Sequence, residues 1–530
     1  MNEYNNAEQY GNVQPVNVYG RAEGQYAPMY NNSLQGPPEA KKTYNMRDFI
    51  FAALTAVLGF ITFKLFFTEG EIFPFAEVIA SGWYHIIVAA LAVMAVIYIG
   101  KKPTASQWAI FGCVIIFCAV PIFSSTGLVR FLSWVYAAIL LCYFAYSFTT
   151  TKPLFSDGFA RELCEAVFSV SFRNFTAAPK SIAVPFSKKE HKSKTALYIL
   201  LGIICSLPAT FIAGAALSSA DDNFGRMLSV MTGGFFNNFF SNIIIFAVSI
   251  PFSFLLFGIM SGAKGRKRRM TGDSGKAAKV PAAAVCAALT PLIAIYLLFF
   301  ACQIPYFLSA FGGVLPEGYS YSGYARQGFF ELCGVAVLDL FVIFLAGVLA
   351  KRNESGRKPA AVRAYSAVFS LLTVLLICSA MSKMIMYIGE YGLTGLRFYT
   401  SWFMILLGIV FLVLILHEIL PDMKTVLILF VSFTAMLGAL CFCDPDARIA
   451  QYNVESYLSG NITKIDTYSL SVLSEGAAVY IEKLGDNNEN LRPRCRAALA
   501  QIKESRNSKV YFPLSVTTVK SDGIYDRMRG

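Results

Sequence analysis

Charge is what this chain has least of. Lys, Arg, Asp and Glu make up 15% of its 530 residues, against about 25% in soluble globular proteins, while 56% of the residues are hydrophobic. Such a balance excludes one large soluble core, because there is too little polar surface to cover it. Histidine occurs only as His85, His191 and His417. Twelve cysteines are present, but no CxxC pair occurs, and Cys113, Cys118, Cys205 and Cys286 sit inside apolar runs, where a thiol behaves as a small hydrophobe. Cys441, Cys443 and Cys495 are the thiols placed to meet outside those runs. GxxxxGK[ST], a glycine-rich dinucleotide turn, GxSxG and the kinase set are all missing.

What is present instead is a succession of apolar stretches of about 20 residues, each long enough as a helix to cross a hydrocarbon layer of roughly 30 Å. The fold class is therefore all-α, a polytopic transmembrane helix bundle. Eleven spans read off at about 48–67, 83–99, 107–123, 128–148, 195–217, 237–260, 281–302, 328–350, 364–388, 399–417 and 424–441. The first begins at Asp48 behind a long polar tail with no small-residue cleavage site after it, so it reads as a retained span rather than a signal peptide. The tail, residues 1–45, is rich in Asn, Gln, Gly, Pro and Tyr and reads as a disordered, solvated spacer. Spans 1–4 occupy 46–148 and spans 5–11 occupy 195–441.

The formal charge of +12 does not point to nucleic acid, since Lys and Arg cluster in short loops between spans. "GKKPTASQ", the 149–194 segment, "AKGRKRRMTGDSGKAAK" and "KRNESGRKPAAVR" are basic, and the loops between them are acidic or nearly neutral. Basic loops mark the cytoplasmic side, which puts the N-terminus inside and, with an odd number of spans, the 442–530 region outside. The same loops are expected to attract anionic lipid, at about 1 kcal/mol per Lys or Arg. Within 149–194, Phe159, Leu163, Ala166, Val167 and Val170 recur at helical spacing, as in a helix lying along the inner surface. The 442–530 region reads as three short helices, one of them capped by Asp466, and then an edge strand at "KVYFPLSVTTVK".

Polar residues inside the spans are the candidates for function. Asp339 lies mid-span, where a carboxylate costs roughly 2.5–3.5 kcal/mol on insertion scales; its helical neighbours are apolar, so its partner comes from another helix, with Lys383 and Lys64 as candidates. It carries a proton or ion, or it is a paired structural acid, the plainer reading. Asn238, Ser241, Asn242, Ser249 and Ser253 share one face of the sixth span beside Pro251, as a wet path or, more simply, as interhelical glue. Pro208, Pro251 and Pro291 read as breaks in the fifth to seventh spans. In "LILHEILPDMKTVLILF", His417 and Glu418 emerge at the cytoplasmic interface, Pro421 makes the turn, and Asp422 is placed to cap the next helix. Zinc is disfavoured there, because Leu420 and Pro421 stand where a second His would be needed.

Three blocks, "YSGYARQGFFELCGVAVLDL" (321–340), "YGLTGLRFYTSWFM" (391–404) and "ARIAQYNVESYLSGNITKIDTYSLSVLSEGA" (447–477), resemble a bacterial family of multi-span membrane proteins catalogued as domain of unknown function 4173. That resemblance implies a bacterial cytoplasmic membrane and no assigned activity. It draws attention to Tyr324, Arg326, Gly328 and Glu331 before and within the eighth span, and to Tyr391, Leu393, Thr394, Arg397 and Tyr399 before the tenth. Arg326 or Arg397 is expected to pair with Glu331 or Glu390, or with Asn453 and Asp466 to dock the tail. Ser456, Ser469 and Gly476 stand where the family carries Arg, Tyr and Asp, so any salt bridge made there is absent.

The expectation is a non-enzymatic membrane protein that binds an unidentified protein partner or senses the envelope, without cofactor, metal or nucleic acid. A permease with a path near Asp339 and the proline-bearing spans is the alternative, and a membrane enzyme using Asp339, Glu331 or His417–Glu418 is third.

Overall fold

The computed structural model describes residues 43–67, 82–150, 153–156, 158–187, 235–264, 280–311, 329–353, 357–507 and 515–527, with isolated positions between 206 and 227. The span expected at 195–217, apart from positions 206 and 217, the polar tail through 42, the basic run 265–279 and Arg326 lie outside the described residues. No strand occurs among the described residues, only an isolated bridge between Val280 and Ala350.

The apolar runs form α1 (Met46–Phe67), α2 (Trp83–Ile99), α3 (Ala105–Cys118), the one-turn α4 (Val120–Phe123) and α5 (Gly127–Ser147). Local signals set these boundaries. Gly100 ends α2 at φ 66°, a left-handed cap that glycine adopts without strain. Thr104 and Gln107 then start α3 with a reciprocal capping box. The surface segment follows as α6 (Phe159–Cys164), a π-helical turn over Glu165–Ser169, α7 (Val170–Arg173), α8 (Ala177–Ile182) and α9 (Val184–Ser187). The long helices resume as α10 (Phe235–Lys264), α11 (Ala282–Phe311), α12 (Phe329–Leu349), α13 (Ala360–Tyr391), α14 (Gly395–Ile419) and α15 (Thr425–Phe442). Among the described residues nine helices are long and apolar enough to cross a membrane, and α2 is a shorter apolar helix. Ten of the eleven expected spans are thus helices. Both α10 and α11 run unbroken through Pro251 and Pro291, so the expected breaks there are absent.

Two apolar cores hold the bundle. One joins α1, α2, α3, α5, the surface segment, α10 and α15; the other joins α11, α12, α13 and α14. α15 follows α14 in sequence yet packs in the first core, where Tyr136 meets Phe433 and Phe155 meets Phe430. The Trp402 indole donates to the Met436 carbonyl at 3.0 Å, tying α14 to α15. The surface segment lies against α10 rather than standing free. Ala166 and Val170 are buried, whereas Phe168 and Phe172 are exposed, and a Cβ built on Gly258 would lie 2.7 Å from the Ser171 carbonyl oxygen. The absent side chains of Gly258 and Gly262 make that approach possible.

The helix ends beside the basic loops are stapled by polar contacts. The Asp48 carboxylate accepts from Lys264 at 2.7 Å and from Tyr98 at 2.8 Å, drawing together the ends of α1, α2 and α10. Its side chain is 3% exposed and that of Lys264 35%, so the two substitutions are unequal. Lys264→Met leaves a buried carboxylate without its cation, held only by neutral donors such as Tyr98 and the Asn45 amide; Asp48→Ala leaves a long cation able to reach water. We expect thermal unfolding in detergent to show the larger loss for Lys264→Met, and equal losses would contradict the staple.

Beyond α15 the chain forms α16 (Pro445–Leu458), α17 (Thr467–Ser471), a 3-10 turn over Glu475–Ala477, α18 (Ala478–Asn487), α19 (Arg492–Asn507) and α20 (Val516–Arg527). These close on a third core of their own, with Val454, Leu470, Ile481, Leu484, Leu499, Ile502 and Ile524 inside. Asp466 caps α17 as expected, its carboxylate accepting from the Tyr468 amide at 2.9 Å. The helix expected after it is interrupted at "LSEG". The edge strand is overturned where it can be seen, since residues from 516 are helical, while 508–514 lie outside the described residues.

Candidate functional site

The polar groups form three assemblies. Inside the second core, Tyr296 of α11 donates to Asp339 Oδ1 at 2.5 Å and Thr373 of α13 donates to Oδ2 at 2.8 Å. The Tyr296 ring stacks on Phe369, 5.4 Å between centroids. Asp339 is thus fully partnered across three helices, by hydroxyls instead of the lysines expected. Lys64 donates to Asn242 at 2.7 Å, joining α1 to α10. Lys383 is buried within α13. Ser249 and Ser253 donate to carbonyls of their own helix, Phe246 and Ser249. The stripe on α10 is glue at Asn242; the side chains of Asn238 and Ser241 lie outside those described.

At the basic end, the "HEILPD" turn is a clamp. Lys358 pairs with the Glu418 carboxylate, Arg363 donates to the Glu418 carbonyl, and Arg357 pairs with Asp422 at 2.8 Å. Asp422 is thereby an ion-pair partner and does not cap α15, whose N-terminal residue Thr425 instead bonds His417 Nδ1 at 2.7 Å. These contacts tie the start of α13 to the α14–α15 turn.

The third assembly lies at the opposite end, between the bundle and the C-terminal helices, and sequence reasoning missed most of it. Arg130, 8% exposed at the start of α5, donates from Nε to the Ser124 carbonyl at 2.7 Å and from Nη2 to the Pro121 carbonyl at 3.3 Å. It faces Asp444 and Glu475 electrostatically. Asp444, in the link between α15 and α16, accepts from Thr126 at 3.1 Å and from Ser124 at 3.4 Å, both on Oδ1. Oδ2 is buried without a hydrogen-bond partner among the described residues, and it occupies the space where a Cβ of residue 476 would go. A side chain at 476 would therefore displace the Asp444 carboxyl group, and glycine lets it approach. Burial, then the neighbouring Asp446 carboxylate, push the Asp444 acid up to about 6, against the opposing pull of Thr126, Arg130 and Ser124.

Around this pair the contacts are hydrogen bonds. Ser125 donates to Ser474 at 2.9 Å and accepts from the Gly476 amide at 3.1 Å, while the Ser474 amide donates to Asp446 at 3.0 Å. Asn453 of α16 bonds both the amide and the carbonyl of Leu393, each at 2.7 Å. Arg397 donates to the Tyr391 and Gly392 carbonyls and covers the Tyr387 ring at 4.0 Å, fixing the turn that Asn453 reads. Asn453 joins α16 to this turn, whereas the contacts of Arg397 stay within the turn and Asp466 caps its own helix. Glu331 is exposed at the start of α12. Beneath the junction, Ser133 donates to the Arg130 carbonyl at 2.8 Å, so His85 donates to Ser133 from Nε2, at 2.9 Å, and its Nδ1 has no partner among the described residues. Ser124, Thr126 and Arg130 were legible only as a polar interruption between two apolar runs.

No curated protein and no solved structure matches the chain. The sequence model of one family, described as a domain of unknown function (DUF4153), matches residues 85–484. That range contains all three blocks on which the resemblance rested, and it runs from His85 through the bundle into α18, taking in Arg130, Asp444 and Gly476. The number is 4153 and not the 4173 first indicated, and the kind of family, one without an assigned activity, is the same. With that match covering 400 of 530 residues, from α2 onward through the junction, the chain belongs to the DUF4153 family.

Proposed function

We propose that this is a non-enzymatic integral membrane protein of the bacterial cytoplasmic membrane whose C-terminal helices form a detachable unit that binds a partner or reports on the envelope. The observation carrying this reading is the separation of cores. The C-terminal helices close on their own apolar core, and the junction to the bundle is made at Asn453–Leu393, Ser125–Ser474, Ser125–Gly476 and Asp444–Thr126. An element with its own core, seated by these polar contacts and by packing of α16 on α14 and of α20 on α4, can leave its seat without unfolding. The basic loops, at the opposite end, belong on the cytoplasmic side against anionic lipid, and the C-terminal unit on the other. A transport path through Asp339 is the weaker reading, since both its oxygens are engaged by hydroxyls of neighbouring helices.

Asn453→Ala tests the reading. Losing two hydrogen bonds of about 1 kcal/mol each should speed amide exchange at the junction some 5–30-fold, with α18 and α19 still protected and the bundle unchanged. Loss of protection throughout the bundle would make the C-terminal helices an integral wall and end the proposal.

A further inference from the structure

We propose that the Asp444 carboxyl group is a pH-operated latch that holds the C-terminal unit on the bundle as the neutral acid and loosens it on ionisation. The inference rests on the detachable-unit reading and names its control.

The geometry carries it. An ionised carboxylate buried in protein needs donors on both oxygens. Asp444 has two hydroxyl contacts, both on Oδ1 and both long, at 3.1 and 3.4 Å, and nothing on Oδ2 among the described residues. The residue is 7% exposed, and Gly476 stands across Oδ2 with no side chain to donate. The charged and titratable groups facing it come from every packed element. Arg130 of α5 attracts it, but its guanidinium is already aimed at the Ser124 and Pro121 carbonyls and shared with Glu475. Asp446 of α16 repels it from two residues away, and Glu475 of the 3-10 turn adds a further carboxylate, itself held by Arg506 at 3.8 Å and Ser521 at 3.4 Å. Cys443 precedes it, and Tyr399 of α14 lies near, its hydroxyl buried without a partner among the described residues.

The groups that ionisation would drive apart are also those that hold the unit in place. Asp446 accepts from the Ser474 amide, and Gly476, pressed against Asp444, donates to Ser125. A charge on Asp444 therefore repels the Asp446 carboxylate that holds the Ser474 amide, and it is buried uncompensated against Gly476, the next anchor of the same turn.

The sign follows from linkage. The docked acid titrates at about 6 and the released one at its ordinary 3.8, so the docked state holds the extra proton. Its added stability is complete below about 4 and is lost as pH rises through 6. Between pH 5 and 7.5 the opening constant should rise about tenfold.

Hydrogen exchange on the full chain in nanodiscs, corrected for intrinsic rates, reads this at the Ser474 and Gly476 amides. Opening about tenfold more frequent at pH 7.5 than at pH 5 is expected for the natural chain, with that dependence removed in Asp444→Asn and reduced, but still present, in Asp446→Asn, where burial alone raises the acid. The same pH dependence in Asp444→Asn, or none in the natural chain, overturns the latch. Opening that responds to Asn453→Ala at every pH but not to pH would sink the latch alone; an unopened junction in all variants would sink the detachable unit as well.

Discussion

Replacing Arg130 with alanine is expected to cost roughly 3–5 kcal/mol, the range found when one partner of a buried charge cluster is removed. The substitution leaves the Ser124 and Pro121 carbonyls without their donor and removes the buried cation that faces Asp444 and Glu475. It also withdraws a side chain at the point where α4, α5 and the C-terminal unit meet. Thermal unfolding of the purified protein measures the loss. Arg130→Lys should recover only part of it, because one ammonium cannot reproduce a fork aimed at two carbonyls. Full recovery by lysine would show that charge alone matters there and that the fork does not.

The second large effect is expected at Gly258, on the face of α10 beneath the surface segment. A Cβ there lies 2.7 Å from the Ser171 carbonyl oxygen, a backbone atom that has no rotamer through which to withdraw. Gly258→Leu should lift α7 from the bundle, with a loss above the roughly 1–3 kcal/mol usual for overpacking. Protease cleavage within 165–175 should rise accordingly. Gly112→Ala is the matched control, since no atom lies within 4 Å of its Cβ position and the better helix former should be neutral or mildly stabilising. Equal behaviour of the two variants would mean that the surface segment does not bear on α10.

The contrast between these sites explains what the sequence revealed. Apolar runs near 20 residues have one stable outcome in hydrocarbon, so the helices and their order were legible to within a few residues. The amphipathic spacing of Phe159, Leu163, Ala166 and Val170 likewise marked a helix with one buried side. Pairing between helices was not legible, because it depends on which faces meet. Asp339 looked as though it needed a lysine and found Tyr296 and Thr373, ordinary residues in any apolar run. Asp422 had cap spacing, but a basic loop 65 residues earlier in the chain supplied Arg357 instead. Asp444 and Thr126 are 318 positions apart, and no local pattern links them. Pro251 misled for another reason: a proline removes one hydrogen bond and weakens a helix without having to end it, and α10 continues through it.

The place of α15 has a consequence for how the molecule is made. The last of the described membrane helices in chain order belongs with α3 and α5, from the early group, against Tyr136 and Phe155. Until it arrives, that group has an unfilled groove in the bilayer while some 280 further residues are being synthesised. The loop carrying Ser124 and Thr126 waits equally long for Asp444, so insertion and closure are separate events. A ribosome stalled before residue 425 would leave a set of inserted helices that is correctly threaded and still open along one side.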